Sequence, residues 1–505
     1  MPRDISASKI DSNLGGLLVQ EGGCVFHPFI HKKILLRLIV AHSVTDRAKH
    51  SPRASSIAPS LKTMAGAIAV VSASVLMTTP SAAQIQQPTP VIQSSAETDP
   101  VAMGWMRGAP PPPDKVVKFE DGSFSRFPQS RWSFAHYREL FPTARVSRGT
   151  GTVAPLPYAL RMDLDNVTFR VSGLSSTMTW RQAFDAVYGD AVIVLHHGCT
   201  VYERYHGATN ADTPHIMFSV SKSFSGTLAE MLIANGQLDE NAQIMRYIPE
   251  LASTGFGDAT LRQLLDMTTA LDYSEDYSDP KAQVVAYAYA AGAAPRPPGY
   301  AGPRNVFEFL KTVAKSGEHG SKFAYRTVNT EVLGTLLSRI ADKQLPDLLS
   351  QAIWSKLGAE HDADFVVDSN GAAVAGGGLN MTLRDAARFG EMMRLNGRFN
   401  GQQIIPAQAI ASIRRGASQE DFAKAGYTAL PNWSYRSQWW LSHNAHGAFT
   451  ARGIYGQAIY IDPKAEMVIV RFASNPKAAN ANFDSISLPA YQAIAEQLMK
   501  PAVRD

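Results

Sequence analysis

Four Ser-x-x-Lys pairs occur in this sequence, at Ser6/Lys9, Ser219/Lys222, Ser278/Lys281 and Ser474/Lys477. A serine becomes a nucleophile when a neighbouring amine takes its proton, and the chemistry that follows is acyl transfer. Only one pair has suitable surroundings. The first lies in a weakly patterned N-terminal stretch, while Pro280 and Pro476 set the last two in turns. Ser219 instead opens a run with apolar Val220, Phe224, Leu228, Met231 and Leu232, which is a helical period. Positions i and i+3 share a helix face, so the Lys222 amine can reach the Ser219 hydroxyl. A serine at the first turn also faces free backbone N–H groups and the positive end of the helix dipole, donors suited to an oxyanion. A plain N-cap serine fits the same pattern, so the pair alone leaves both readings open. The lysine acts as a base only where burial or nearby positive charge lowers its pKa.

Other chemistries find less support. There is no Gly-x-Ser-x-Gly elbow, no His-Glu-x-x-His and no phosphate-binding glycine loop. Asp272, Glu275, Asp276 and Asp279 crowd four carboxylates into eight residues, which reads as a solvated loop rather than a calcium site. His196, His197 and His215 lack metal-ligand spacing, so neither metal nor cofactor is expected.

The elements that must position Ser219 can be read on either side of it. From Ala191, AVIVLHHGCTVYERY reads as two strands around a His-His-Gly turn. Residues 218–440 are mostly helical in pattern, with segments such as ATLRQLLDMT and TLRDAARFGEMMRLNG. Strand patterns return in QAIYIDP and MVIVRFAS, and a helix from about Ser485 to Met499 ends the chain. The expected class is α+β: an antiparallel sheet flanked by helices, with a large mostly helical inserted lobe. Residues 131–217 plus 441–505 would form the α/β lobe and 218–440 the helical one, with the site between them. Residues 84–130, which contain PPPPDK, read as a linker-like segment.

Residues 1–83 read differently, as a leader. The stretch LKTMAGAIAVVSASVLMTTPSAAQ (61–84) has one lysine, an apolar middle and a small-residue end, the order of a secretory signal cleaved after Ala83. Periplasmic or secreted localisation is expected, with the true translation start near Leu61 or Met64. Residues 1–83 hold nine of the 48 Lys/Arg and four of the 44 Asp/Glu, leaving 39 basic against 40 acidic. A balance so close to neutral gives no electrostatic reason to expect nucleic acid or an anionic membrane as partner. No apolar run reaches the roughly 20 residues of a membrane span.

Further motifs join Ser219 and Lys222. FAYRTVNTEVLG sets Tyr325 just before a helix, and FTARGIYGQAIYIDP is a glycine-rich strand near the end. In order, MFSVSKSF, LDYSEDYSDP, YRTVNTEVLG, SYRSQWW and RGIYGQ resemble the class C β-lactamase and esterase superfamily. Within it they are most similar to the 6-aminohexanoate-dimer hydrolases and related carboxylesterases, from about Met103 to the C-terminus. The resemblance implies a β-lactamase/penicillin-binding-protein-like fold and a small ester or linear amide substrate, cleaved through an acyl-enzyme on Ser219. It implies that Lys222 and Tyr325 share the proton work, the phenol hydrogen-bonding to both Ser219 and Lys222. It assigns the oxyanion hole to the backbone N–H groups of Ser219 and Ile454, and closure over substrate to Tyr277. Three departures stand out. Tyr325-Arg326-Thr327 replaces Tyr-x-Asn, with Asn329 two positions later as a substrate-binding candidate. Ala288 stands at the substrate-binding position where nylon-oligomer specialists carry an aspartate. Ala451-Arg452-Gly453 replaces the Lys-Thr-Gly of β-lactamases, leaving Arg452 to meet a carboxylate. The alternatives are a β-lactamase or D,D-peptidase, and an inactive penicillin-binding-like module.

Overall fold

A computed structural model describes residues 93–501. The signal-like segment 61–83 and its cleavage point lie outside the described residues. No described helix is long and apolar enough to cross a membrane.

Eleven strands matter to the site: β1 (Thr143–Val146), β2 (Gly189–His196), β3 (Cys199–Tyr205), β4 (His215–Ile216), β5 (Ala363–Val366), β6 (Leu379–Met381), β7 (Ser434–Arg436), β8 (Trp439–Leu441), β9 (Phe449–Gly453), β10 (Gln457–Asp462) and β11 (Met467–Ala473). Six helices frame them: α1 (Trp180–Ala186), α2 (Val220–Ala234), α3 (Gln283–Ala290), α4 (Thr327–Ala341), α5 (Leu383–Arg394) and α6 (Asp484–Leu498). The main sheet is antiparallel in the order β7-β8-β9-β10-β11-β2-β3, and a smaller sheet runs β1-β5-β6-β4.

The main sheet is covered on both faces, and the side-chain period of two sorts its residues between them. Ile193, Leu195, Ile459, Ile461, Val468 and Val470 face one core, which also takes Phe389 and Met392 of α5. Val192, Val194, Tyr460 and Ile469 face the other, closed by Trp180 and Phe184 of α1 and by Tyr491, Ile494 and Leu498 of α6. Two-sided burial is why the central strands read as near-continuous apolar runs. Helix α1 starts on a capping box, Thr179 accepting from the Gln182 amide while Gln182 returns a bond to the Thr179 amide.

Two domain expectations change. The stretch expected to be linker-like is anchored in its described part: Trp105, Val117 and Phe124 are buried in the main core. Proline-rich composition suggested a spacer, but its aromatic residues decide the outcome by burying against the domain. The lobe boundary also shifts. The main sheet begins at Ser434, inside the span expected to be helical, and β5, β6 and α5 of that span belong to the sheets or pack on them. One continuous core joins Ala191 and Ile193 to Leu228, Leu264 and Leu337, so α2 is an internal helix shared by both parts.

Candidate active site

Ser219 is the N-cap of α2, and backbone hydrogen bonds and ring packing hold its turn. The Met217 amide donates to the Leu379 carbonyl of β6 at 2.9 Å, and the Val220 amide donates to the Met217 carbonyl at 3.1 Å. Phe218, just before the serine, sits at φ +44°, and Tyr455, just after Ile454, at φ +62°. Bulky residues avoid such angles unless their surroundings enforce them. Phe134 supplies part of that enforcement, with ring centroids 4.9 Å from Phe218 and 5.1 Å from Tyr455. The N-terminal part of the chain thus braces both loops that carry the expected oxyanion amides.

Those loops meet in one cleft. Ser219, Glu275, Tyr277, Tyr325, Arg452 and Ile454 all line a cavity of about 410 Å³. Ser219 precedes α2 and Ile454 opens a single 3-10 turn, so both N–H groups stand where a helix supplies no acceptor. The approach of β9 to the serine turn depends on Gly453, where a Cβ atom would meet the Met217 carbonyl oxygen at 2.4 Å.

Lys222 Nζ lies 2.9 Å from Ser219 Oγ and donates to the Gly376 carbonyl at 2.6 Å. The amine is 1% exposed, and burial brings its pKa down to about 8 despite the opposing pull of Glu275 and Glu331. A neutral amine held by Gly376 on one side can accept the serine proton on the other. Tyr325 is pushed the opposite way: burial and the Glu275 carboxylate hold its phenol protonated well above pH 10, against a smaller opposing effect of the Ser219 hydroxyl. The expected bond from the phenol to Lys222 is absent among the described residues. Lys222 Nζ instead sits 5.2 Å from the centroid of the Tyr325 ring while it donates to the Gly376 carbonyl. These environments separate the two groups into an amine that can take a proton and a phenol that can give one. The rate of serine acylation should therefore climb with pH through about 8 and level off above it, since the ammonium form cannot accept a proton. Labelling by a fluorophosphonate, followed from pH 6 to 10, checks this; a flat profile would remove Lys222 as the titrating base.

The other expected residues divide. Tyr277 lies at the cleft mouth, half exposed, and donates to Glu275 at 2.8 Å. Asn329 does not reach the cleft. It is fully buried on α4, accepting from Thr269 Oγ1 at 2.8 Å with its amide against Met267 Sδ at 3.3 Å. The helix starts at Thr327, so position 329 turns inward while Thr327 takes the first-turn position. Ala288 is half-buried on α3 and outside the residues that line the cleft. Arg452 lines the cleft but is ion-paired to Asp484 and stacked with its guanidinium 5.3 Å from the Trp440 ring centroid.

Sequence reasoning missed three residues of the site. Glu275, expected to be a solvated loop acid, lines the cleft and accepts from the Thr327 amide and hydroxyl, both at 2.5 Å. Its spacing of two from Tyr277 was the available signal, since alternate residues of an extended segment face one way. Tyr427 and Asp484 also line the cleft, and nothing local in the sequence marks them. Among the described residues, no group of three or more His, Cys, Asp or Glu could hold a metal ion.

The chain has clear relatives. A family model described as Beta-lactamase matches residues 179–487. The 6-aminohexanoate-dimer hydrolase of Paenarthrobacter ureafaciens is 35% identical over 355 residues, which is 70% of this chain and 88% of that protein. A solved structure from Bacillus anthracis, provisionally assigned as a 6-aminohexanoate-dimer hydrolase, is 34% identical with a TM-score of 0.71, covering 77% of this chain and 99% of that one. EstCE1, a hydrolase with promiscuous acyltransferase activity, shares the fold at 17% identity and a TM-score of 0.50, over 62% of this chain and 96% of its own.

Proposed function

Because the chain belongs to the β-lactamase family, as a serine hydrolase of the 6-aminohexanoate-dimer hydrolase and esterase type, we propose that it cleaves small uncharged esters and amides through an acyl-enzyme on Ser219. The observation that carries this reading is the buried Lys222 amine 2.9 Å from Ser219 Oγ. Neutral Lys222 takes the serine proton as Oγ attacks the carbonyl carbon. The N–H groups of Ser219 and Ile454 receive the negative charge that develops on the carbonyl oxygen. Tyr325 gives its phenolic proton to the departing alcohol or amine as the tetrahedral adduct collapses, and the proton on Lys222 restores the phenol through the emptied site. Water then repeats the sequence on the acyl-enzyme, releasing the acid.

The preference for uncharged substrates rests on Arg452. In the position that faces a β-lactam carboxylate in the Lys-Thr-Gly enzymes, this guanidinium is already paired with Asp484, and Glu275 adds a second carboxylate to the cleft. An anionic substrate therefore meets two carboxylates, and among the described residues that line the cleft the one guanidinium is already paired. Such juxtaposition costs several kcal/mol, so kcat/KM for p-nitrophenyl butyrate should exceed that for the anionic mono-p-nitrophenyl succinate by about 100-fold or more. The same wall disfavours the β-lactamase and D,D-peptidase readings. Intact-mass measurement after a fluorophosphonate probe tests the acyl-enzyme itself. One adduct is expected on the wild-type protein and none on Ser219→Ala; an adduct that persists on Ser219→Ala would overturn the assignment.

A further inference from the structure

The amine of Lys222 is held by a carbonyl, and that carbonyl is held by something else. Gly376 lies in the loop 374–378 that leads into β6, and its own amide donates to Glu331 Oε1 at 2.9 Å. The Ala375 amide donates to Glu331 Oε2 at 3.1 Å, and the Tyr287 hydroxyl of α3 donates to Oε1 at 2.6 Å. Glu331 projects from the second turn of α4 and is 2% exposed, so it is a buried carboxylate with no role in the chemistry described above. Gly376 cannot carry a side chain here: a Cβ would stand 2.8 Å from both Glu331 Oε1 and Thr327 Cγ2. The chain Tyr287–Glu331–Gly376–Lys222–Ser219 thus runs unbroken from α3 to the nucleophile.

We infer that Glu331 is a positioning residue, whose carboxylate fixes the Gly376 carbonyl by its grip on the loop and, by that grip and its charge, holds the Lys222 amine against Ser219. The inference rests on the reading of Lys222 as the base and extends it. Two backbone amides and one hydroxyl converge on the two carboxylate oxygens, and the amides can only donate, a set that suits the ionised, acceptor-only form. Burial pushes this carboxyl up from its usual range, while the Tyr287 hydroxyl, the two amides and Lys222 pull it back. The charges around the pair are few. Lys222 is faced by Ser219, Tyr325, Glu275 and Glu331, and Glu331 by Tyr287, Tyr273 and Lys222. Behind α4, Glu331 also borders a separate cavity of about 660 Å³ that holds Arg339, Asp342, Lys343 and Asp347. The carboxylate therefore reaches Lys222 through the Gly376 loop on one side and borders a second opening with charged residues on the other.

The test separates charge from shape. Glu331→Gln keeps an oxygen for the Gly376 amide and Tyr287 but removes the negative charge, so the rising limb of kcat/KM should move to lower pH by about one unit. Glu331→Asp keeps the charge and shortens the reach, so the midpoint should stay while kcat falls about tenfold or more. The titration of Lys222 is read independently by NMR of enzyme labelled with 13C at the lysine ε-carbon, its signal assigned with Lys222→Met. Downward movement of both midpoints in Glu331→Gln supports the inference. Movement of the NMR midpoint alone supports Glu331 as positioning residue and overturns Lys222 as the kinetic base. A folded Glu331→Gln protein in which neither midpoint moves overturns the inference, because a purely structural side chain would change rates but not the titration. If Glu331→Gln does not fold, Glu331→Asp decides: it draws the carboxylate back from the Gly376 amide, and a wild-type kcat there is equally fatal.

Discussion

Lys222→Met should give a folded protein that has lost nearly all acylation, with kcat/KM on every ester down by about 10³–10⁴-fold. The side chains are similar in length, and the change removes only the amine that faces Ser219 Oγ and the Gly376 carbonyl. Stability should not fall with activity. Lys222 has its pKa lowered from 10.5 to about 8 on folding, so the unfolded chain binds its proton more tightly. Below pH 8 the folded state carries the full cost of a buried ammonium, about 3 kcal/mol, and that cost fades as pH rises from 8 towards 10.5. Methionine removes this cost, which offsets the hydrogen bond lost at the Gly376 carbonyl, typically worth about 1 kcal/mol. Thermal denaturation at pH 7 should therefore show Lys222→Met at least as stable as the wild type. Tyr325→Phe provides the contrast. Its loss should reach about 10²–10⁴-fold on esters with poor leaving groups and be small on p-nitrophenyl esters, whose leaving group scarcely needs a proton. Equal losses in the two variants across a leaving-group series would merge the roles that the geometry separates.

Gly453→Ala should lower kcat by about 10²–10³-fold, and by the same factor for every leaving group. The added methyl carbon would stand 2.4 Å from the Met217 carbonyl oxygen, closer than carbon and oxygen can approach, and a tight 3.0 Å from Gln457 Cβ. Neither side can yield freely. The Met217 carbonyl accepts from the Val220 amide in the turn that presents Ser219, and Gly453 is paired with Gln457 at the end of the β9–β10 ladder. Moving β9 away would carry the Ile454 amide out of reach of a carbonyl oxygen bound at Ser219, while the Lys222–Ser219 pair stays whole. The expected signature is a parallel downward shift of the leaving-group plot, where Tyr325→Phe should change its slope. A circular dichroism spectrum like that of the wild type, together with an unchanged kcat, would take the Ile454 amide out of the oxyanion hole.

Much of this is legible in the sequence, because the chemistry is local or tied to a recurring motif. Ser219 and Lys222 sit three apart on one helix, and a helix fixes that relation by itself. The hairpin β2–β3 and the strands β10 and β11 announced themselves as apolar runs bounded by turns. What stayed hidden depends on long-range packing. Asn329 looked like a displaced polar ligand, and only the start of α4 at Thr327 shows that it turns inward to Thr269. Arg452 looked free to meet a carboxylate until Asp484, 32 residues later, was placed beside it. Glu331 reads from sequence as an ordinary polar position on a helix, since its partners Tyr287, Ala375 and Gly376 come from two other segments. Residues 84–130 read as linker-like because of the run Pro110–Pro113, while Trp105 and Phe124 anchor the described part.

The order of strands in the main sheet also bears on when this protein first becomes active. Strand β2 pairs with β11, Gly189 opposite Ala473 and His196 opposite Met467, so the earliest hairpin of the sheet waits for the last one. Closing so long a loop carries an entropic cost that must be met before the contacts it allows can form. A chain emerging from the ribosome presents Ser219 and Lys222 well before it presents Ile454, and has no partner for the inner edge of β2 until the final strands appear. Catalysis therefore cannot begin on a partly synthesised chain. That unpaired edge is where mispairing between chains would begin.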